Sequence, residues 1–94
     1  METPYNLPDY NIEAVNIVVN YIKEHLDKSD GDIDFQVYVV WQCCILGSRK
    51  WLISSTLPDG MYYEVTYDYH KGLYYLDAYR KWENRSIPVN SIRP

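Results

Sequence analysis

Apolar positions along the chain change their period once, and the change divides it into a helix followed by strands. From Tyr10 onward Ile12, Val15, Val18, Val19, Ile22 and Leu26 recur at steps of three and four, while Glu13, Asn16, Asn20, Lys23, Glu24 and Asp27 fill most of the other side. That spacing predicts an amphipathic helix over residues 10–28. Pro4 and Pro8 make residues 1–9 an extended lead-in. Asp9 or Asn11 is the expected N-cap, with Glu13 near the positive end of the helix dipole and Lys28 near the negative end. Gly31, in the Ser-Asp-Gly cluster of residues 29–34, is placed to close the helix.

From Phe35 to Ile53 the chain reads FQVYVVWQCCILGSRKWLI, two apolar strands joined at a polar break of Gly47, Ser48, Arg49 and Lys50. Simple alternation puts Phe35, Val37, Val39, Trp41, Cys43 and Ile45 on one side, and Tyr38, Val40, Cys44 and Leu46 on the other. Both sides are apolar, so the first strand is expected inside the sheet and buried on both faces. The second strand runs from Lys50 to Thr56. Leu57, Pro58, Asp59 and Gly60 form a turn. In the third strand, Met61 to Tyr69, Tyr63, Val65, Tyr67 and Tyr69 alternate with Tyr62, Glu64, Thr66 and Asp68, one face packed and one wet. His70, Lys71 and Gly72 turn the chain into a fourth strand from Leu73 to about Tyr79, with Trp82 as its far limit. Residues 84–94 hold two prolines and no period, an irregular tail with room for one short edge strand around Ser86–Val89.

The expected fold is therefore a single α+β domain over residues 1–94, in which one N-terminal helix packs on a four-stranded antiparallel meander spanning 35–82. One helix shields one sheet face. Something else must cover the other, and self-association as a homodimer through a Tyr and Trp face is the simplest closure.

Composition adds one unusual feature: 11 of the 94 residues are tyrosine, a side chain that suits half-wet sheet surfaces and interfaces. With 9 Lys plus Arg against 13 Asp plus Glu the formal charge is −4, which argues against general binding to a nucleic-acid backbone. The basic residues Lys71, Arg80, Lys81, Arg85 and Arg93 crowd the last quarter of the chain. The N-terminus lacks the basic and apolar regions of a signal peptide, and no apolar run is long enough to span a bilayer. A cytoplasmic location with no membrane contact is expected, and Cys43 and Cys44 are expected as buried free thiols.

Chemistry does not follow from the residues present. Adjacent strand positions point Cys43 and Cys44 to opposite faces, so they neither bridge each other nor share a metal with His25 and His70. The carboxylates Asp27, Asp30, Asp32 and Asp34 do not have calcium-loop spacing. With Gly31 at the sharp turn, ligand positions fall on Leu26 and Lys28, and the closing position on Val37. No triad, phosphate loop or dinucleotide fingerprint is present. No catalytic residue, metal or cofactor is expected.

Interface chemistry remains. Tyr, Trp and Arg dominate binding energies, and the densest group is Tyr74, Tyr75, Tyr79, Arg80, Trp82 and Arg85 on the last strand and its exit. The expected role is protein binding, with the acidic set Asp27, Asp30, Asp32 and Asp34 as the rival surface. The alternative is a single-stranded nucleic-acid module that stacks bases on the tyrosines beside the basic C-terminal stretch.

TLPDGMYYEVTY, residues 56–67, and YLDAYRKWENRSIP, residues 75–88, resemble a family of small uncharacterised proteins, of unknown function, from phages and prophages of Gram-positive bacteria. The resemblance runs from the VYVVWQC strand to the end. It implies a short phage accessory protein that binds and inhibits or redirects a host protein in the host cytoplasm, possible targets including a defence nuclease in the manner of an anti-CRISPR protein.

Overall fold

The computed structural model describes residues 9–26 and 33–93. They form one helix, α1 (Tyr10–His25), and four strands, β1 (Val37–Ile45), β2 (Ser48–Ser55), β3 (Met61–Asp68) and β4 (Leu73–Arg80). The strands are antiparallel and lie in chain order, β1-β2-β3-β4. The fold class and the meander are as the sequence predicts. Residues 86–88 form no strand where a short edge strand was expected around Ser86–Val89, and a 3-10 turn, Val89–Ser91, follows them. Residue 88 is proline and gives no strand donor there. The helix ends at His25, where Leu26 turns extended (φ −72°, ψ 138°), and does not run to the expected residue 28; Asp27, Asp30, Gly31 and Asp32 lie outside the described residues.

Asp9 caps α1, its Oδ1 accepting from the amides of Asn11 (3.0 Å) and Ile12 (3.2 Å). The helix is about 24 Å long and turns Ala14, Val18 and Ile22 inward. They meet Trp51, Ile53, Tyr63 and Val65 of the central strands, and these seven apolar side chains form the core. Trp51 is fully buried. Its indole N–H points to Asn11 Oδ1 (2.7 Å) on α1 and Gln42 Oε1 (2.9 Å) on β1, so the helix, edge and centre of the sheet meet at one donor.

The structure corrects three expectations about β1. It is an edge strand rather than an interior one, and Tyr38 through Ile45 are exposed. A bulge between Val39 and Trp41 breaks the alternation, so Trp41, Cys43 and Ile45 share a face with Tyr38 and not with Val37 and Val39. Cys43 and Cys44 are accordingly exposed free thiols, not buried ones. The hairpin that follows is also tighter than expected. Ile45 pairs with Ser48, leaving Leu46 and Gly47 as a two-residue turn with φ of 48° and 82°, and Arg49 and Lys50 belong to β2. Both turn positions favour Asn or Gly. Leucine at the first of them costs roughly 1–2 kcal/mol, and its side chain is 92% exposed.

The remaining turns follow their predicted chemistry. Asp59 Oδ1 accepts from the Met61 amide (3.0 Å) beside Gly60 at φ 69°. Asp68 Oδ1 accepts from the amides of His70 and Lys71 at the last hairpin. β4 ends at Arg80, short of Trp82.

Candidate interaction surface

Strand register assigns every paired sheet residue to one of two faces, since residues paired across strands share a face. The face toward α1 carries the rows Gln42-Trp51-Val65-Leu76 and Cys44-Arg49-Tyr67-Tyr74. The opposite face carries four rows: Ile45-Ser48-Asp68-Leu73, Cys43-Lys50-Thr66-Tyr75, Trp41-Leu52-Glu64-Asp77 and Tyr38-Ser54-Tyr62-Tyr79. Among the described residues no element covers this second face. Ile45, Leu73, Tyr38, Trp41, Tyr75, Tyr79 and Tyr62 stand 38–63% exposed there, six of them on the outer strands β1 and β4, with Leu52 and the polar Ser48, Lys50, Ser54, Glu64, Thr66 and Asp68 between them.

Charge on the open face is acidic. Lys50 Nζ lies 2.9 Å from Glu64 Oε1, which raises the lysine pKa through their hydrogen bond, and this leaves Asp68 and Asp77 with no cation in their rows. Glu64 and Asp77 sit directly opposite each other on β3 and β4, a like-charge pairing that opposes sheet stability. Their field, Glu64 first and Asp77 second, raises the Tyr79 phenol pKa. Tyr79 stacks on Tyr62 with ring centroids 5.4 Å apart.

The residues proposed from sequence do not form one site. Tyr75 and Tyr79 lie on the open face, whereas Tyr74 and Arg80 take the other parity and point to the helix side. Trp82 is 97% exposed beyond the end of β4, and Arg85 pairs with Glu83 (3.2 Å) in the tail. Asp34 is exposed before β1. Sequence reasoning missed Tyr38, Trp41, Ile45, Leu52 and Tyr62 as members of the open face. The readable signal was a strand apolar on both sides, taken for burial.

Tyr74 has a structural role instead. Its hydroxyl donates to Glu13 Oε2 at 2.6 Å and ties the first turn of α1 to β4. Burial first, then this hydrogen bond, raises its pKa well above the ordinary 10.0, and burial is also the leading cause for Tyr63 and Tyr67. A raised phenol pKa means the folded state holds its proton more tightly. The resulting stability is present below the ordinary value and is lost as pH rises through the folded one. Denaturant midpoints should therefore fall steeply from about pH 10 upward. Tyr74→Phe should lower the neutral-pH stability by about 1 kcal/mol and flatten the alkaline slope. An unchanged slope in that variant would contradict the assignment.

Two shallow grooves flank β1 and β2. One of about 310 Å³ is lined by Gln42, Cys43, Cys44, Arg49 and Trp51, and one of about 220 Å³ by Cys43, Ile45, Ser48, Arg49, Lys50 and Thr66. Neither is lined by a carboxylate or a histidine. Among the described residues no three His, Cys, Asp or Glu gather closely enough to hold a metal ion, and no helix is long and apolar enough to cross a membrane.

Comparison with known proteins gives one match. A family model described as "Family of unknown function (DUF6275)" matches residues 11–89, which takes in α1 from its second residue and all four strands. No curated protein and no solved structure matches the chain.

Proposed function

The chain belongs to the DUF6275 family, of unknown function, and from its surface we propose that it is a non-enzymatic binding module that engages a protein through the sheet face opposite α1. The observation that carries this reading is the face itself. Tyr and Trp side chains, the types that dominate interface energies, stand uncovered on β1 (Tyr38, Trp41), β3 (Tyr62) and β4 (Tyr75, Tyr79) of this one face. Monomers rarely leave so many large apolar side chains uncovered on one face.

The polar groups on the face favour a basic partner. Glu64, Asp68 and Asp77 stand there against Lys50 alone, and the Glu64-Asp77 pairing is relieved when a cation enters between them. The same charge disfavours stacking two copies face to face. The resemblance to phage accessory proteins makes a host protein the partner to test, and a defence nuclease offers the required surface, since its nucleic-acid groove is basic. The protein would act in the cytoplasm of the host.

Exposed aromatics also favour the second reading, a module that stacks the bases of single-stranded nucleic acid. Charge opposes it. Arg80 lies on the other sheet face, and Lys81 and Arg85 lie beyond the end of β4.

Asp77→Lys separates the two readings because it moves them in opposite directions. It should weaken capture of a basic protein from host lysate at least tenfold while leaving the fold intact, since it also removes the like-charge pairing. Under the nucleic-acid reading the same variant should tighten binding to an oligothymidylate and steepen its salt dependence. That second outcome would overturn the proposal.

A further inference from the structure

We infer that β1 pairs edge to edge with β1 of a second copy of this chain, antiparallel about a two-fold axis at Cys43, which joins two four-stranded sheets into one of eight strands. The inference does not rest on what the open face binds.

An edge strand presents a row of free backbone amides and carbonyls, and protein edges are normally blunted by lysine, proline, an inward charge or a covering segment. β1 is nine residues long and has no charged residue or proline, and no described element pairs with its outer side. Among the described residues its bulge is the single protective device, and it lies at Val39 and Trp41, which leaves Trp41–Ile45 regular. The other edge is protected, since β4 carries Asp77 and Arg80. In a chain of net charge −4, an uncharged nine-residue strand is the segment that pairs with its own copy at no electrostatic cost.

Register follows from face parity. With the axis at Cys43, Trp41 falls opposite Ile45 of the second copy on the open face, and Gln42 falls opposite Cys44 on the helix side. All five residues of the regular stretch are then paired with face matched to face. An axis at Gln42 sets Ile45 against Val39, which the bulge has turned to the other face. An axis at Cys44 brings Trp41 against the turn glycine, Gly47. The Cys43 axis also carries Leu46, the strained and 92% exposed tip, to the exposed Val40 of the second copy. This gives a reason for leucine where the turn favours asparagine. The two open faces lie side by side, so their acidic residues are not pressed together.

Such a contact is small. The paired stretch from Val40 to Leu46 offers roughly 23 Å by 10 Å, below the area of stable complexes, so a dissociation constant of about 100 μM is expected. Sedimentation equilibrium from about 1 to about 500 μM should show the mass rising from that of the 11.2 kDa chain toward twice that value. Ile45→Lys, at a 63% exposed position, should weaken association at least tenfold. Leu46→Asn should raise the melting temperature by relieving the turn and yet weaken association, a combination that a merely structural role for Leu46 does not produce.

Oxidation by diamide, which takes up the two electrons and two protons of a thiol pair, should cross-link Cys44→Ser dimers through Cys43 and leave Cys43→Ser uncross-linked. Directly opposed strand residues have the Cα separation that a disulfide needs. A constant monomer mass across the range, association unaffected by Ile45→Lys, or cross-linking through Cys44 alone would each overturn the inference.

Discussion

Trp51→Ala is expected to bring the domain to the margin of unfolding at room temperature. Trp51 is completely buried between α1 and the central strands, and its indole nitrogen joins Asn11 of the helix to Gln42 of β1. Truncating a buried tryptophan costs about 3–5 kcal/mol, against a total stability of about 5–15 kcal/mol for domains in general. A chain of 94 residues with seven core side chains belongs at the lower end of that range. Trp51→Phe separates the ring from its N–H. Asn11 and Gln42 are exposed and can turn to water, so the phenylalanine variant should lose only about 1–2 kcal/mol. Urea denaturation followed by circular dichroism measures both. A loss below about 1 kcal/mol for the alanine variant would mean that the sheet centre is not where the fold is held.

The second large effect is on binding. Trp41→Ala is expected to weaken the proposed protein contact by about 2 kcal/mol or more, roughly thirtyfold, because a half-exposed tryptophan beside an uncovered sheet is the residue type and setting of an interface anchor. It stands 44% exposed in the row with Leu52, Glu64 and Asp77, which puts an aromatic anchor next to the acidic pair. The covered part of the ring contributes to folding, so a stability loss of about 1–2 kcal/mol is also expected, and the variant must be compared at a temperature where it is folded. Tyr79→Ala, on the same face, should behave alike, and Arg80→Glu, one residue on but on the opposite face, should not. Equal losses for Tyr79→Ala and Arg80→Glu would assign the partner to the end of β4 rather than to a face.

Much of the architecture was legible in the residues because its signals are local. The three- and four-residue recurrence from Ile12 to Leu26, the Asp9 cap and the turn chemistry of Asp59 with Gly60 each act within a few positions, and hairpins join neighbours in order. The site was less legible for two physical reasons. The bulge between Val39 and Trp41 moves every later β1 side chain to the other face, and no residue there advertises it, since the segment is a continuous apolar run. A strand apolar on both sides also reads alike whether it is buried in a sheet or kept bare for a partner. Leu46 adds a third case. Sequence preference places a polar turn after it, because leucine disfavours positive φ, and the structure keeps leucine there at a cost. Within the candidate set itself, alternation divides Tyr74 from Tyr75, so proximity along the chain proved a poor guide to proximity on a surface.

The most direct test of the account is to map the contact on the protein itself, by recording backbone and aromatic NMR signals while the captured partner is added. Shifts and broadening should concentrate at Trp41, Leu52, Tyr62, Tyr75, Asp77 and Tyr79, with Asn16, Asn20 and Glu24 on the outer side of α1 unchanged. Perturbation centred on α1 or on the tail after Arg80, with the open face silent, would contradict the claim that this face is the working surface.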